Sequence, residues 1–129
     1  MRALQTTRHG GVSKAPWASL NLGDHVGDAP AAVAANRALL RRRLPGEPLW
    51  LEQVHGTVAV NAAQAPESRR GDAAWAREAG VVCAVMTADC LPVVLCDRQG
   101  SVVAAAHAGW RGLLAGVLEN TVASLQVDP

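Results

Sequence analysis

The amino-acid sequence predicts one small α+β domain that spans residues 1–129. Half of the 129 residues are apolar, which is enough to form a buried core. Helix-forming stretches lie towards both ends of the chain, and short apolar runs of strand length lie between them. This distribution of helix and strand signals is typical of an α+β fold.

The first predicted helix covers Ala31–Leu44, a stretch rich in good helix formers. Asp28 is the expected N-cap, and Pro30 lies near the first turn, where proline is tolerated. Pro45 follows the last helix former and ends the pattern.

Strands are predicted for six short stretches of the sequence that lie between turn-forming residues. They are residues 2–8, Leu49–Val54, Thr57–Asn61, Val81–Met86, Leu91–Cys96 and Ser101–Ala106. The last three are expected to form the centre of a sheet that is buried on both faces. Asp72–Glu78 is expected to be a short helix or an extended crossover.

The second predicted helix covers about Arg111–Leu125 and is amphipathic. The apolar residues at three- and four-residue spacing, which are expected to form its buried face, are Leu114, Leu118, Val122 and Leu125.

The charge and cysteine content exclude several classes of function. The net charge is +1, from 12 basic and 11 acidic residues, so no nucleic-acid partner is expected. No apolar run reaches about 18 residues, so no membrane span is expected. Three cysteines without a CxxC pair argue against a disulfide framework and favour a reduced, cytoplasmic setting.

Three potential metal ligands, His55, Cys90 and His107, each lie where an apolar strand gives way to a polar or glycine-containing turn. Ligand sites gather at such strand ends, because the strand fixes the backbone and the turn exposes the side chain. Imidazole and thiolate are preferred ligands of Zn²⁺, and three of them leave a fourth tetrahedral position for water or substrate. The sequence therefore predicts a mononuclear site, with zinc as the expected ion, that acts on a small soluble substrate.

The same residues allow three other interpretations. In the first, they have only a structural role, as a buried thiol and two hydrogen-bonded histidines. Cys90 can be a nucleophile with His107 as its general base, without a metal. Alternatively, two histidines, a cysteine and a weak methionine ligand can hold copper. Met86 is the candidate for that weak ligand, although it lies within an apparent buried strand.

Six motifs occur in a specific order along the chain. They are Thr-Thr-Arg-His-Gly-Gly-Val-Ser at 6–13, Ser-Leu-Asn-Leu-Gly-Asp-His-Val-Gly-Asp at 19–28, Asn-Arg at 36–37, Gln-Val-His-Gly at 53–56, Thr-Ala-Asp-Cys-Leu-Pro-Val at 87–93 and His-Ala-Gly-Trp-Arg-Gly at 107–112. Over nearly the whole chain, these motifs resemble the multi-copper polyphenol oxidase (laccase-like) family, which includes the YfiH-type proteins.

The resemblance implies an α/β/β/α sandwich and assigns the metal ligands to His55, Cys90 and His107. Despite its laccase name, the family is described as zinc-dependent purine nucleoside phosphorylases. Adenosine, inosine, guanosine and methylthioadenosine are the implied nucleosides, with phosphate as the second substrate and adenosine deamination as an accompanying activity. A copper-dependent polyphenol oxidase and an inactive metal-binding chain are the alternatives, and a homo-oligomer is left open. Family proteins are about twice as long, so the chain is expected to be the N-terminal part of such a protein.

Five further residues are candidates for roles in this reaction. Arg111 is a catalytic candidate, and both Arg8 and Arg111 can bind phosphate, because a guanidinium makes bidentate contacts. Asn21 resembles a substrate-binding residue of the family. Asp89 is the second catalytic candidate, either as an acid–base group or as the partner of a ligand histidine. Trp110 can stack on a base or simply pack, and packing is the expectation.

Overall fold

A computed structural model describes residues 1–64 and 67–126 of the chain. These residues form two compact units, of which the first is Arg2–Pro45 and the second begins at Gly46. Within the described residues, no helix has the length and apolar character that crossing a bilayer requires.

The first unit contains one helix, α1, over Pro30–Arg41, which is shorter than predicted at its C-terminal end. The expectation that Asp28 caps it is wrong, since Ala29 is the N-cap and makes no side-chain cap. The Asp28 carboxylate instead accepts hydrogen bonds from Ser13 Oγ at 2.6 Å and from Asn21 Nδ2 at 3.0 Å. The prediction that Pro30 lies in the first turn of the helix is confirmed.

The strand predicted for residues 2–8 is wrong. The segment has no strand structure, and the Arg8 carbonyl accepts bonds from the amides of Ser19 and Leu20 in the following loop. A side chain also takes part in the hydrogen bonding of these loops. The fully buried Asn36 accepts a hydrogen bond from Val12 N at 2.8 Å. Asn36 in α1 thus organises the loops that precede the helix.

In its described part, the second unit contains six strands and two helices. Their bounds are β1 Pro48–Leu49, β2 Ala59–Asn61, β3 Ala73–Ala76, β4 Val82–Cys83, β5 Leu91–Cys96, β6 Val103–Ala108, α2 Trp110–Ala115 and α3 Val117–Leu125. A four-stranded sheet has the order β2-β3-β6-β5, with β2 parallel to β3 and antiparallel pairing elsewhere. The short strands β1 and β4 pair separately in parallel.

The centre of the sheet is formed by β3 and β6, which corrects two expectations. Asp72–Glu78 contributes the buried strand β3 rather than a helix or crossover, because pairing on both sides overrides the helix preference of its alanines. Val81–Met86 forms only the two-residue β4, and Leu91–Cys96 forms the edge strand β5 with Leu91 and Val94 exposed. Of the three strands expected at the centre, only β6 lies there.

The predicted C-terminal helix is two helices, separated at Gly116. Gly116 has φ 94° and ψ 36°, a left-handed conformation that ends α2 and begins α3. The expected apolar face is wrong for Leu114 and Val122, which are 82% and 48% exposed, and confirmed for Leu125, which is 3% exposed. The break rotates α3, so that Val117 and Leu125 are buried.

Candidate metal centre

His55 lies in the loop between β1 and β2, where its backbone has φ 60°, an unusual left-handed conformation for a residue other than glycine. Asp72 stabilises this loop through three consecutive amides. Its carboxylate accepts hydrogen bonds from Val54 N at 3.2 Å, His55 N at 2.8 Å and Gly56 N at 2.7 Å. The His55 side chain is thereby presented from a backbone that is fixed at three successive positions.

His107 lies in the central strand β6 and is 4% exposed. Its Nδ1 lies 2.9 Å from Asp72 Oδ1, and its backbone amide donates to the Asp72 carbonyl at 2.7 Å. Burial tends to raise the pKa of the Asp72 carboxyl, but hydrogen bonds from His107 and the amides of the His55 loop outweigh it and hold the pKa below its usual value. An ionised carboxylate can accept a hydrogen bond from Nδ1–H, and the tautomer that carries its proton there keeps the Nε2 lone pair for a ligand.

Cys90 precedes the edge strand β5, and the pairing of β5 with β6 places it next to the turn after His107. Leu91 pairs with Ala108 in that register, so Cys90 and Gly109 are adjacent across the two strands. A Cβ at Gly109 would lie 2.7 Å from Cys90 Sγ and 3.4 Å from His55 Cδ2. Glycine at position 109 thus leaves the space in which the sulfur and the imidazole approach each other.

The structure brings the three predicted ligands together. One ligand atom from each of His55, Cys90 and His107 lies within 4.8 Å of the other two. The two imidazole rings meet edge to face, with centroids 4.8 Å apart and an interplanar angle of 69°. Two imidazoles and one thiolate are ligands that zinc prefers, so His55, Cys90 and His107 are the residues that would hold it. The donor set and its packing fit a metal ion.

The metal-free nucleophile interpretation of Cys90 is less favourable in this geometry. Burial raises the pKa of the Cys90 thiol, and the charge and hydrogen bond of neighbouring Asp89, together with the charge of Asp72, raise it further. A nucleophilic cysteine requires an electropositive environment that lowers the pKa of its thiol and stabilises the thiolate at neutral pH. A bound cation supplies such stabilisation, because a coordinating thiol loses its proton.

Two of the three ligands, His55 and Cys90, line an open cleft of about 450 Å³. Other residues that line it include Asp89, Trp110, Arg111 and Leu113. The expectation that Trp110 packs in the interior is wrong, since its side chain is 70% exposed. The Arg111 guanidinium lies 5.2 Å from the centre of the Trp110 ring, within the range of a cation–π contact. An aromatic surface and a cation therefore stand side by side next to the candidate metal ligands.

Asp72 is the functional residue that sequence reasoning missed. Partner of a ligand histidine is one of the two roles predicted for Asp89, but the structure places Asp89 at the cleft beside Cys90 and gives the histidine contact to Asp72. A single signal was available, because Asp72 is an acidic residue directly before the apolar start of β3. Its partner is 35 residues away in sequence, and no local spacing relates the two.

Arg8 and Asn21 belong to the first unit, and their contacts there are local. The Asn21 side chain donates to the Gly23 carbonyl at 3.1 Å and accepts from the Gly23 amide at 3.0 Å, which closes a turn. Arg8 Nε donates to the Ala18 carbonyl at 2.8 Å. The substrate-binding roles of these two residues stay predictions.

Comparisons with known proteins confirm the family resemblance that the six motifs indicate. A family model described as multi-copper polyphenol oxidoreductase laccase matches residues 2–129. The chain is 60% identical to a purine nucleoside phosphorylase of Pseudomonas aeruginosa, covering 98% of the chain and 52% of that protein. It is 55% identical to the purine nucleoside phosphorylase YfiH of Escherichia coli, covering 98% and 54%.

Solved structures confirm the predicted fold class. A Neisseria meningitidis protein of the same fold superposes with a TM-score of 0.88 at 55% identity, covering 95% of this chain and 51% of that one. YlmD from Geobacillus stearothermophilus superposes with a TM-score of 0.79 at 38% identity, covering 95% and 50%. The chain therefore has the α+β fold of YfiH-type proteins, and it spans about half the length of the relatives it matches.

Proposed function

The chain belongs to the multi-copper polyphenol oxidoreductase laccase family, and on that premise we propose that it carries the metal centre of a zinc-dependent purine nucleoside phosphorylase. The observation that supports this most strongly is the convergence of His55, Cys90 and His107 within 4.8 Å beside an open cleft. The names of the relatives from Pseudomonas aeruginosa and Escherichia coli support the reaction class.

The proposed reaction is phosphorolysis of a purine nucleoside such as adenosine, inosine, guanosine or methylthioadenosine. A phosphate oxygen forms a bond to the anomeric carbon of the ribose, while the bond from that carbon to the purine nitrogen breaks. The electron pair of the broken bond leaves with the base, which takes up a proton. The products are ribose 1-phosphate, or its methylthio analogue, and the free base.

Zinc is the proposed ion because two imidazoles and one thiolate match its ligand preference and leave a fourth position open. When bound, it would supply a positive charge and Lewis acidity beside the cleft. Copper is the alternative ion, favoured by the description of the family. The backbone of Met86, which was the candidate axial ligand for copper, is held by the Gln53 side chain.

The residues around the cleft have distinct proposed tasks. The exposed indole of Trp110 can stack on the purine, as aromatic side chains do with nucleobases. Arg111 beside it can bind phosphate through two parallel N–H bonds. Asp89 lines the same cleft and is the proposed group that exchanges a proton with the base. Outside the cleft lining, the substrate-binding roles predicted for Arg8 and Asn21 of the first unit are part of the proposal as well.

A cleft of about 450 Å³ is consistent with a small substrate, since sites for small molecules measure about 300–1,000 Å³. Adenosine deamination is proposed as an accompanying activity of the same site, in which water replaces the exocyclic amino group and ammonia leaves. Asp89 is the proposed proton carrier for that reaction as well, because it is the carboxylate that lines the cleft.

Metal analysis combined with a phosphorolysis assay tests this proposal. Protein purified without added metal is expected to contain one equivalent of zinc and to release hypoxanthine from inosine only when phosphate is present. Oxidation of phenols by the copper-loaded protein, with no action on nucleosides, would support the oxidase alternative instead. Zinc binding without turnover of either substrate class would indicate a metal-binding chain that is not itself the enzyme.

A further inference from the structure

We propose that Asp72 is a positioning residue that holds both histidine ligands of the metal centre at once, His107 by its ring and His55 by its backbone, and that zinc affinity depends on its carboxylate. The inference rests on the metal centre of the proposed function but does not depend on which substrate the cleft binds. Asp72 is fully buried and does not line the cleft, so it acts through His55 and His107 rather than on a substrate.

The strand pairing explains how one side chain reaches both ligands. Ala73 in β3 pairs with Ala106 in β6, so the residue before Ala73 lies opposite His107. The bond from the His107 amide to the Asp72 carbonyl at 2.7 Å continues that pairing by one step. Cross-strand neighbours project to the same face of a sheet, which brings the carboxylate to the imidazole.

The two carboxylate oxygens of Asp72 have different hydrogen-bond partners. Oδ1 accepts from the backbone amide of His55 at 2.8 Å and lies 2.9 Å from His107 Nδ1, so a single atom contacts both ligand residues. Oδ2 accepts from Val54 N and Gly56 N, which flank His55. Three converging amides and one imidazole N–H are all donors, and an ionised carboxylate is the side chain that can accept from all four.

Two consequences for zinc follow from these contacts. The amide contacts hold His55 in its left-handed conformation, which sets the direction of its side chain. The bond to Nδ1 fixes the tautomer of His107, because Nδ1 carries the proton and Nε2 keeps its lone pair. A neutral amide at position 72 could donate to Nδ1, and this would stabilise the tautomer whose Nε2 is protonated and cannot bind a metal.

The experiment compares Asp72→Asn with Asp97→Asn. Asp97 is a matched control, because its carboxylate also accepts backbone amides, from Ser101 and Val102, but in the turn before β6. Zinc affinity is measured by competition with a chelator, and circular dichroism of the metal-free proteins reports folding. Asp72→Asn is expected to weaken zinc binding about 10- to 100-fold, the usual effect of removing a partner of a ligand histidine, whereas Asp97→Asn retains wild-type affinity.

A measurement on the unmodified chain keeps the inference testable if Asp72→Asn does not fold. Nitrogen-15 NMR of the metal-free protein near neutral pH is expected to find His107 protonated at Nδ1 in its neutral form. Wild-type zinc affinity in folded Asp72→Asn, or a His107 protonated at Nε2 in the unmodified chain, would overturn the inference. Normal zinc binding without nucleoside turnover would count against the proposed function and leave the role of Asp72 intact.

Discussion

The side-chain amide of Gln53 pairs with the backbone of Met86 through two hydrogen bonds. Nε2 donates to the Met86 carbonyl at 2.8 Å, and Oε1 accepts from the Met86 amide at 2.7 Å. Gln53 lies two residues before His55, and Met86 lies four residues before Cys90. The pair therefore ties the segment that carries one ligand to the segment that leads to another.

Replacement of Gln53 by alanine is expected to lower both stability and zinc affinity. Two hydrogen bonds are lost, each contributing about 0.5–1.5 kcal/mol, so the free energy of unfolding should fall by about 1–3 kcal/mol. Gln53→Glu retains the acceptor for Met86 N but removes the donor, and an intermediate loss is expected. Chemical denaturation and chelator competition measure the two effects.

Gln99→Ala is a suitable control for this pair, because Gln99 is an exposed residue in the turn between β5 and β6. It is expected to change neither quantity by a measurable amount. If Gln53→Ala were destabilised but bound zinc as tightly as the wild type, the pair would stabilise the fold without aligning the ligand segments.

Replacement of Gly109 by alanine is expected to disturb the metal centre through steric contact. The added Cβ would lie 2.7 Å from Cys90 Sγ, which is closer than carbon and sulfur can approach. Overpacking of this kind costs about 1–3 kcal/mol, so zinc affinity should fall by about 10- to 100-fold. Gly23→Ala is the control, since its Cβ would have only ordinary contacts, the nearest at 3.5 Å. Equal zinc affinity in the two variants would contradict the close packing of Cys90 against Gly109.

Alkylation of the three cysteines should distinguish their environments. Zinc is expected to protect Cys90 from iodoacetamide, whereas exposed Cys96 reacts with or without zinc. Cys83 should react slowly in both conditions, because burial raises the pKa of its thiol to about 11. Peptide mass spectrometry gives the extent of modification at each site. Protection of Cys96 rather than Cys90 would be incompatible with the assigned ligand set.

The ligand set could be predicted from the sequence, whereas the groups that orient it could not. His55, Cys90 and His107 each have a local signal, an apolar strand followed by a turn. Asp72 becomes recognisable only through the pairing of β3 with β6, and the alanines of β3 favour a helix when considered alone. The break between α2 and α3 had a signal in Gly116, which lies within the helical pattern and costs stability unless it ends a helix.

The stability of the first unit should fall at acidic pH, because Asp28 becomes protonated there. Hydrogen bonds from Asn21 and Ser13 lower the pKa of its carboxyl below the ordinary value of 3.8. The carboxylate is thus favoured in the folded state, so its contribution is complete above about pH 3.8 and is lost as the pH falls through the lowered pKa. Asp28→Asn should therefore be less stable than the wild type at pH 7, and the difference should narrow below pH 3.8. Thermal melts across this range measure it, and a constant difference would contradict the assignment.

Trp110 provides a test of substrate binding that separates the two substrates of the proposed reaction. Base stacking on an aromatic residue contributes about 1–3 kcal/mol, so Trp110→Leu should raise the KM for inosine about tenfold or more. Trp110→Phe keeps an aromatic face and should recover much of that loss. The KM for phosphate is the internal control, since phosphate is assigned to Arg111, and it should change little in either variant. A larger change in the KM for phosphate than in that for inosine would mean that the indole orients Arg111, 5.2 Å away, rather than stacking on the base.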